Sequence, residues 1–463
     1  MAACAPTVAY TEYRIVLILP GSRALLSLHH HNGAARLPRV RVPARSRPTP
    51  RLQKTIESTW GVRGVVLDYW SLEESLSPCA VIELLSEDLT DGLYPVVPEQ
   101  LADDELSEKE QTFLMSLFRG EAASPLCQMG WLQEAVSWVE ETAGDVILSM
   151  QQIEQLNAGG GFMLLRFPMQ SGRSYWLKAT AAPNSHERSV ASCLSKLCPG
   201  HVPEVLSIRP DWNAWIMQDV QSTDEDFRPH KGFQMLECAV TSMAELQLKT
   251  IGREAALLEA GAFDQRLNVL RKDSHLLFQR IDEAMSRQTS TKATCIRGDQ
   301  LRNLRDVFDA TCDFVETLAI PTTVLHGDMN AGNLLYCNGH CQFIDWSEAY
   351  VGCPLVTLQH LLLLNQETDA RLKSELDHAL IDRYRLVVRE VCDPTAMDMA
   401  IVCMPLIAAA STAYGRGVWL QSSLANSSRR QVYVRTMARH MLEAASTDSL
   451  LDALAKDRFA CAE

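Results

Sequence analysis

The apolar positions of this 463-residue chain change period along its length, and each change marks an element. They begin as short runs. Ile15-Val16-Leu17-Ile18-Leu19 is broken by Pro20-Gly21, and the pattern over residues 10–30 predicts a β-hairpin. His29-His30-His31-Asn32-Gly33 reads as the next turn, with surface histidines. Leu52 to Val62 predicts a helix ended by Gly61, followed by strands at Val65-Val66-Leu67 and Ala80 to Leu85. Residues 99–125 are polar and acidic, and a linker carrying some helix is expected there. Trp131, Ala135, Trp138 and Thr142 then fall on helical spacing beside Val136 and Val139, so a packing helix should run to Gly144. Farther on, Tyr175 to Ala179 and Trp215 to Val220 read as strands, while residues 262–318 and the C-terminal tail are mostly helical in period.

Composition narrows the class. Hydrophobic residues make up 47% and charged residues 22%, enough for large buried cores. No run of eighteen apolar residues occurs and no signal peptide is read, so no membrane span and a cytoplasmic setting are expected. Fourteen scattered cysteines then read as reduced, mostly buried thiols. Cys337, His340, Cys341 and Cys353 lie close in sequence but lack paired C-x-x-C spacing, so no zinc site is expected from that group. Charge is unevenly spread: residues 1–63 carry ten basic and two acidic residues, while the chain as a whole carries −14. An acidic body is a poor general nucleic-acid binder and tolerates a cationic small molecule. The run Arg36, Arg39, Arg41, Arg45, Arg47, Arg51 reads as a solvated loop.

The chemistry concentrates in His326-Gly327-Asp328-Met329-Asn330-Ala331-Gly332-Asn333, followed by Phe343-Ile344-Asp345-Trp346. The runs Leu334 to Cys337 and Cys341 to Ile344 flank Asn338-Gly339-His340, and Asn-Gly is a strong hairpin signal. Such a hairpin returns Asp345 beside Asn333, so one metal could be reached from both. Upstream, Gly159-Gly160-Gly161 would let backbone approach phosphate oxygens.

Asp328 and Asn333 share the spacing of the kinase catalytic loop H-R-D-x-x-x-x-N, and Asp345 stands where D-F-G has its aspartate. Glycine replaces the arginine, and tryptophan follows Asp345. This variant resembles the aminoglycoside phosphotransferase and choline kinase superfamily. The resemblance covers roughly residues 150–420 and implies a reaction using ATP and Mg2+. Asp328 would orient the attacking hydroxyl, while Asn333 and Asp345 would hold magnesium. Lys178 would pair the α and β phosphates, held by Glu187, with Glu204 as the other candidate. The backbone of Gln218, Asp219 and Val220 would meet the adenine edge, with Met217 lining its pocket. His326 would be structural. Met243 to Leu248 would lie on the helix that buttresses the loop. Past Asp345 the pattern W-x-x-A-x-x-G-x-P-x-x-D-L is matched by Trp346, Ala349, Gly352, Pro354 and Leu358, but Thr357 stands in place of the aspartate. Trp346, Glu348, Tyr414 and Trp419 are candidates to line the acceptor pocket, with core packing the default for the aromatics.

Residues Lys54 to Val62 resemble, in degenerate form, the end of the Nudix signature. Its glutamate positions hold Thr55, Ser58 and Thr59, and hydroxyls cannot replace several carboxylates on magnesium, so that domain should be hydrolytically dead. The expected fold is α+β. A two-lobed protein-kinase-like region, with an N-lobe over 126–220 and a mostly helical C-lobe over 221–463, follows a smaller α/β Nudix-like domain and linker over 1–125. The expected function is an ATP-dependent phosphotransferase acting on a hydroxyl of a small, possibly cationic molecule; the alternative is a nucleotide-binding pseudokinase. The acceptor and the oligomeric state are not legible.

Overall fold

The computed structural model describes residues 9–28, 35–44, 46–71, 76–87, 92–122, 124–220, 229–337, 339–421 and 427–460. The histidine turn at 29–33 and Asn338 lie outside these. By packing, the chain divides into two compact units, residues 1–188 with 204–219, and residues 189–203 with 220–463.

The first unit carries two sheets. One is built from β1 (Tyr10–Ile18), β2 (Leu25–Ser27), β3 (Arg39–Pro43), β4 (Gly64–Trp70), β5 (Cys79–Leu84) and β6 (Tyr94–Val96), with α1 (Pro48–Trp60) between β3 and β4. Its order is β4-β5-β1-β2-β6, β3 also pairs with β1, and the expected hairpin joins β1 to β2 with Leu17 opposite Leu26. Both faces of β1 are covered, which is why its apolar run is continuous rather than alternating. Ile15 and Leu17 pack with Leu52 and Ile56 of α1. Val16 and Ile18 share a core with α2 (Glu108–Phe118) and α3 (Trp131–Ala143). Gly61 and Gly144 close α1 and α3 in left-handed geometry, as their positions implied.

The second sheet of this unit contains β7 (Glu154–Asn157), β8 (Phe162–Pro168), β9 (Ser174–Thr180), β10 (Val205–Arg209) and β11 (Ala214–Gln218), in the order β10-β11-β9-β8-β7. Leu165, Leu177 and Ile216 join the same core as Val16 and Trp131, so the first 125 residues and this sheet pack as one body.

Two surface readings are corrected. Residues 99–125, expected as a linker carrying some helix, do carry α2, but they pack into the unit, with Leu114 and Leu117 in its core and Glu105 and Glu110 buried. Glu110 pairs with buried Arg14 at 2.6 Å, and Glu105 meets Arg36 at 2.8 Å and Arg39 at 3.3 Å. The run is not one solvated loop: Arg39 and Arg41 lie on β3 and Arg51 on α1, Arg36 and Arg39 are ion-pair partners, and Arg39 and Arg41 also face Glu12. The uneven charge along the sequence is partly cancelled in space.

The second unit is mostly helical. After α4 (Glu187–Leu197), whose first two residues belong to the first unit, come α5 (Pro229–Thr250), α6 (Glu254–Glu259), β12 (Phe263–Gln265), α7 (Leu267–Lys272), α8 (Ser274–Ser286) and α9 (Asp299–Thr317). They lead into β13 (Thr323–His326), the hairpin β14 (Leu334–Cys337) and β15 (His340–Phe343), and β16 (Ala349–Gly352). The chain ends in α10 (Leu355–Leu362), α11 (Ala370–Val388), α12 (Pro394–Tyr414), α13 (Ser428–Ala445) and α14 (Asp448–Ala460). By length and composition α12 could cross a membrane, but Ala400, Cys403, Leu406, Ile407, Ala410 and Ala413 are buried in the core of this unit. The class is α+β, as expected.

Candidate active site

In the first unit Lys178 lies in the middle of the second sheet, on β9, opposite Leu164 of β8 and Trp215 of β11. Its ammonium is buried and sits 2.5 Å from the carboxylate of Glu187, itself 2% exposed. The Phe162 and Trp215 rings lie 5.1 and 5.7 Å away. Glu187 begins α4, three residues after Asn184, whose carbonyl accepts the Glu187 amide at 3.0 Å. Glu187 is the partner the resemblance implied for Lys178. Glu204 sits instead before β10, where its carbonyl accepts the Gln218 amide at 3.3 Å.

Of the expected adenine-contacting residues, Met217 is half-buried on β11 between Val205 and Trp176. The Gln218 and Asp219 amides donate to Glu204 and Ser174. The Asp219 carboxylate accepts from Arg166 at 2.9 Å and Trp176 at 2.8 Å. Those two amides are committed within the sheet; among the described residues Val220 N–H has no such bond.

The glycines 159–161 join β7 to β8, and residues early in the chain sit against them. Gly159 has φ +106°, and a Cβ there would stand 3.0 Å from Asp68 Oδ1. A Cβ on Gly160 would lie 2.9 Å from Ser124 Cβ and 3.3 Å from Cys127 Sγ, while Gly161 faces open space. Burial pushes the Cys127 thiol up to about 12 and also raises the Asp68 carboxyl. Just before the loop, buried Gln155 uses its side-chain amide as a second backbone. It donates to Val66 O at 2.8 Å and accepts from Val66 N at 2.9 Å, beside the irregularity of β4. Two of the three glycines thus have a packing reason that no local pattern announced.

In the second unit the hairpin β14–β15 has the register Leu334↔Phe343, and Ile344 N donates to Asn333 O at 3.1 Å. Asn333 and Asp345 therefore meet at the open end of the hairpin. Asn333 Nδ2 donates to the Asp328 carbonyl at 2.7 Å and reaches Asp328 Oδ2 at 3.5 Å. That bond assigns the amide's orientation and leaves Oδ1 as its acceptor atom. Asn330 Oδ1 caps the short turn Ala331–Asn333 by accepting from Gly332 N at 2.9 Å. Asp345 has φ +67°, a left-handed conformation that aspartate tolerates better than most residues.

His326 is fully buried; its Nε2 bonds the Ile344 carbonyl at 2.9 Å and its ring lies 4.6 Å from that of Trp346. It ties loop to hairpin, the structural role expected of it. Thr357 proves to be part of this support: its Oγ1 accepts the His326 amide at 3.1 Å, with both residues fully buried. Gly327 is required by space, since a Cβ would meet Tyr350 Cε2 at 2.1 Å. Its amide donates to the Glu348 carbonyl at 2.7 Å. From behind, α5 braces the loop through Thr250 Oγ1, which accepts from Val324 N, and Gln247, which donates to Pro354 O.

The candidate lining aromatics are core residues. Trp346 donates to Phe343 O, Tyr414 to Asp273 and Trp419 to Tyr414 O, and all three are buried. Glu348 is held by Arg416 at 2.8 Å and by the Tyr350 hydroxyl, which lies deep and beside that carboxylate, so its pKa is raised.

A loop carrying Asp328 and Asn333 and a hairpin returning Asp345 beside them thus lie together in the second unit. Residues 238–391 match the profile of the Phosphotransferase enzyme family. The matched segment includes Asp328, Asn333, Asp345 and Thr357 and begins after Lys178 and Glu187. A search of curated proteins returns no match. Similar solved structures include a choline/ethanolamine kinase family protein from Mesorhizobium loti (16% identity, covering 69% of this chain and 98% of its own, TM-score 0.43). An ethanolamine kinase from Plasmodium vivax gives 12%, 77%, 93% and 0.46. An aminoglycoside phosphotransferase from Alicyclobacillus acidocaldarius gives 14%, 69%, 95% and 0.42.

Proposed function

We propose that this chain transfers the γ-phosphate of ATP to a hydroxyl of a small molecule. The observation that carries the reading is the joined set Asp328, Asn333 and Asp345 on the loop and hairpin. A neutral amide oxygen and one carboxylate suit Mg2+, which prefers few protein ligands and completes its shell with phosphates and water. Bound there, magnesium would neutralise charge on the phosphates. Asp328 would hold the acceptor hydroxyl in line and take its proton as the new O–P bond forms and ADP leaves. The buried Lys178–Glu187 pair supports the other half of the reading, in which Lys178 meets the α and β phosphates. The adenine contact would fall to Val220 and the Gln218 and Asp219 carbonyls, because the other amides are committed.

For the acceptor, the second unit offers a cavity of about 460 Å³ between α10, α12 and α13, lined among others by His360, Leu363, Ala408, Thr412, Tyr433 and Met437. That volume suits an amino sugar or an amino alcohol with an apolar face. In the first unit, α1 carries no carboxylate at Thr55, Ser58 or Thr59, and Glu57 pairs with Arg63 at 2.5 Å; a supporting role for this Nudix-like segment fits better than hydrolysis. The test is γ-phosphate transfer to a panel of amino sugars, amino alcohols, macrolides and sugars. Asp328→Asn should keep the Mg-ATP-induced rise in melting temperature and lose transfer by about 10²–10⁴-fold. Unchanged transfer would refute the role of Asp328. Nucleotide binding without transfer to any acceptor would favour the pseudokinase reading.

A further inference from the structure

We propose that His201, Glu245 and His340 form a site for a divalent transition metal of the zinc class, distinct from the magnesium position at Asn333 and Asp345. All three lie in the second unit: His201 in the turn after α4, Glu245 on α5, and His340 at the start of β15. Their potential ligand atoms lie within 4.8 Å of one another, and His201 Nε2 is 3.2 Å from Glu245 Oε2. Tetrahedral zinc holds nitrogen and oxygen ligands about 3.3–3.5 Å apart, so side-chain shifts of about 1 Å close the site. A two-histidine, one-carboxylate set leaves a fourth position for water and suits zinc better than magnesium.

The outer bonds are those a ligating imidazole needs. Such a ring sets one nitrogen on a carbonyl, which fixes its orientation, and offers the other to the ion. Here His201 Nδ1 faces the Pro199 carbonyl at 3.4 Å, and His340 Nε2 faces the Gly200 carbonyl at 2.9 Å. Their remaining nitrogens face side chains that can yield: Glu245 for His201, and Ser242 Oγ at 3.2 Å for His340. Lys249 Nζ lies 3.2 Å from His201 Nδ1, so without metal the group is a Lys249–His201–Glu245 chain. Lys249 can only donate to Nδ1, whereas a neutral ring that ligates through Nε2 carries its proton on Nδ1, so binding an ion would move the proton to Nδ1, where the Pro199 carbonyl accepts it, and turn the lysine aside. Sequence spacing had grouped His340 with neighbouring cysteines; the fold gives it two partners from 95 or more residues earlier.

Bound metal would tie the 199–201 turn and α5 to the hairpin whose far end carries Asn333 and Asp345. Phe343 N already donates to the His201 carbonyl at 2.9 Å. The test uses full-length protein stripped with chelator and titrated with Zn2+, and with Co2+ as the spectroscopic probe. Twelve free cysteines among the described residues make a control for thiolate binding necessary. The expected result is one equivalent of Co2+ without a thiolate charge-transfer band. Binding should weaken at least about tenfold in His340→Ala and Glu245→Gln and persist in Asp345→Asn. No bound equivalent, a thiolate band, or wild-type affinity in both variants would overturn the site. Should His340→Ala fail to fold, Glu245→Gln decides, because that side chain is 44% exposed and tolerates the change.

Discussion

Replacing Thr357 by valine removes one hydroxyl and almost no volume. Thr357 Oγ1 accepts the His326 amide at 3.1 Å, and both residues are fully buried. Valine would leave that N–H without its acceptor and out of reach of water, a cost of about 1–3 kcal/mol. For a unit of this size each kcal/mol is worth about 2–4 °C in melting temperature. Serine is the control: it keeps the hydroxyl and loses a buried methyl, costing about 0.8 kcal/mol. Overall stability alone separates the two poorly, so hydrogen exchange at the His326 amide is the deciding assay. That amide should lose protection in Thr357→Val and keep it in Thr357→Ser. On the proposed reaction, valine should also lower kcat with little change in KM for ATP, because the loop carrying Asp328 loses an anchor. A valine variant with a protected His326 amide and wild-type stability would refute the reasoning.

Glu187→Ala should cost about 3–5 kcal/mol in urea unfolding, because it strands a buried ammonium; Lys178→Met with Glu187→Leu should recover most of this stability and none of the ATP-induced thermal shift. Gly160→Ala should lose about 1–3 kcal/mol by meeting Ser124 and Cys127, Ser124→Gly in the same chain should restore part of it, and Gly161→Ala should cost no overpacking strain in the same unfolding assay. His360 is held neutral by burial, its pKa lowered to about 4. The unfolded chain therefore binds the extra proton first, and stability should fall as pH drops from about 6.5 towards 4, by up to about 1.4 kcal/mol per unit. Unfolding at pH 5 and pH 7 should show a smaller difference in His360→Gln than in the wild type.

Local signals carried much of the fold and of the candidate site. The left-handed caps at Gly61 and Gly144, the β1–β2 hairpin and the β14–β15 hairpin each depend on a few neighbouring residues, so each is legible in the chain. So is the spacing of Asp328 and Asn333, and the pairing of Lys178 with Glu187 needs only a strand, a short turn and a helix start. The supports were hidden. Gln155 bonds Val66 across 89 residues, Arg14 meets Glu110 across 96, and Thr357 holds an amide 31 residues earlier. No period or turn chemistry marks such partners. The glycines at 159 and 160 could be read as phosphate-facing from sequence alone, yet Asp68, Ser124 and Cys127 pack against them.

The sequence by itself determined the order of elements and the chemical types at the site, because periodicity, capping and motif spacing act over a few residues. Only the tertiary structure decided what holds those groups in place. It buried Glu105 and Glu110 against early arginines, gave Thr357 an anchoring bond, and brought His201, Glu245 and His340 together. Those outcomes depend on which distant surfaces exclude water from one another, and a linear pattern does not encode that pairing.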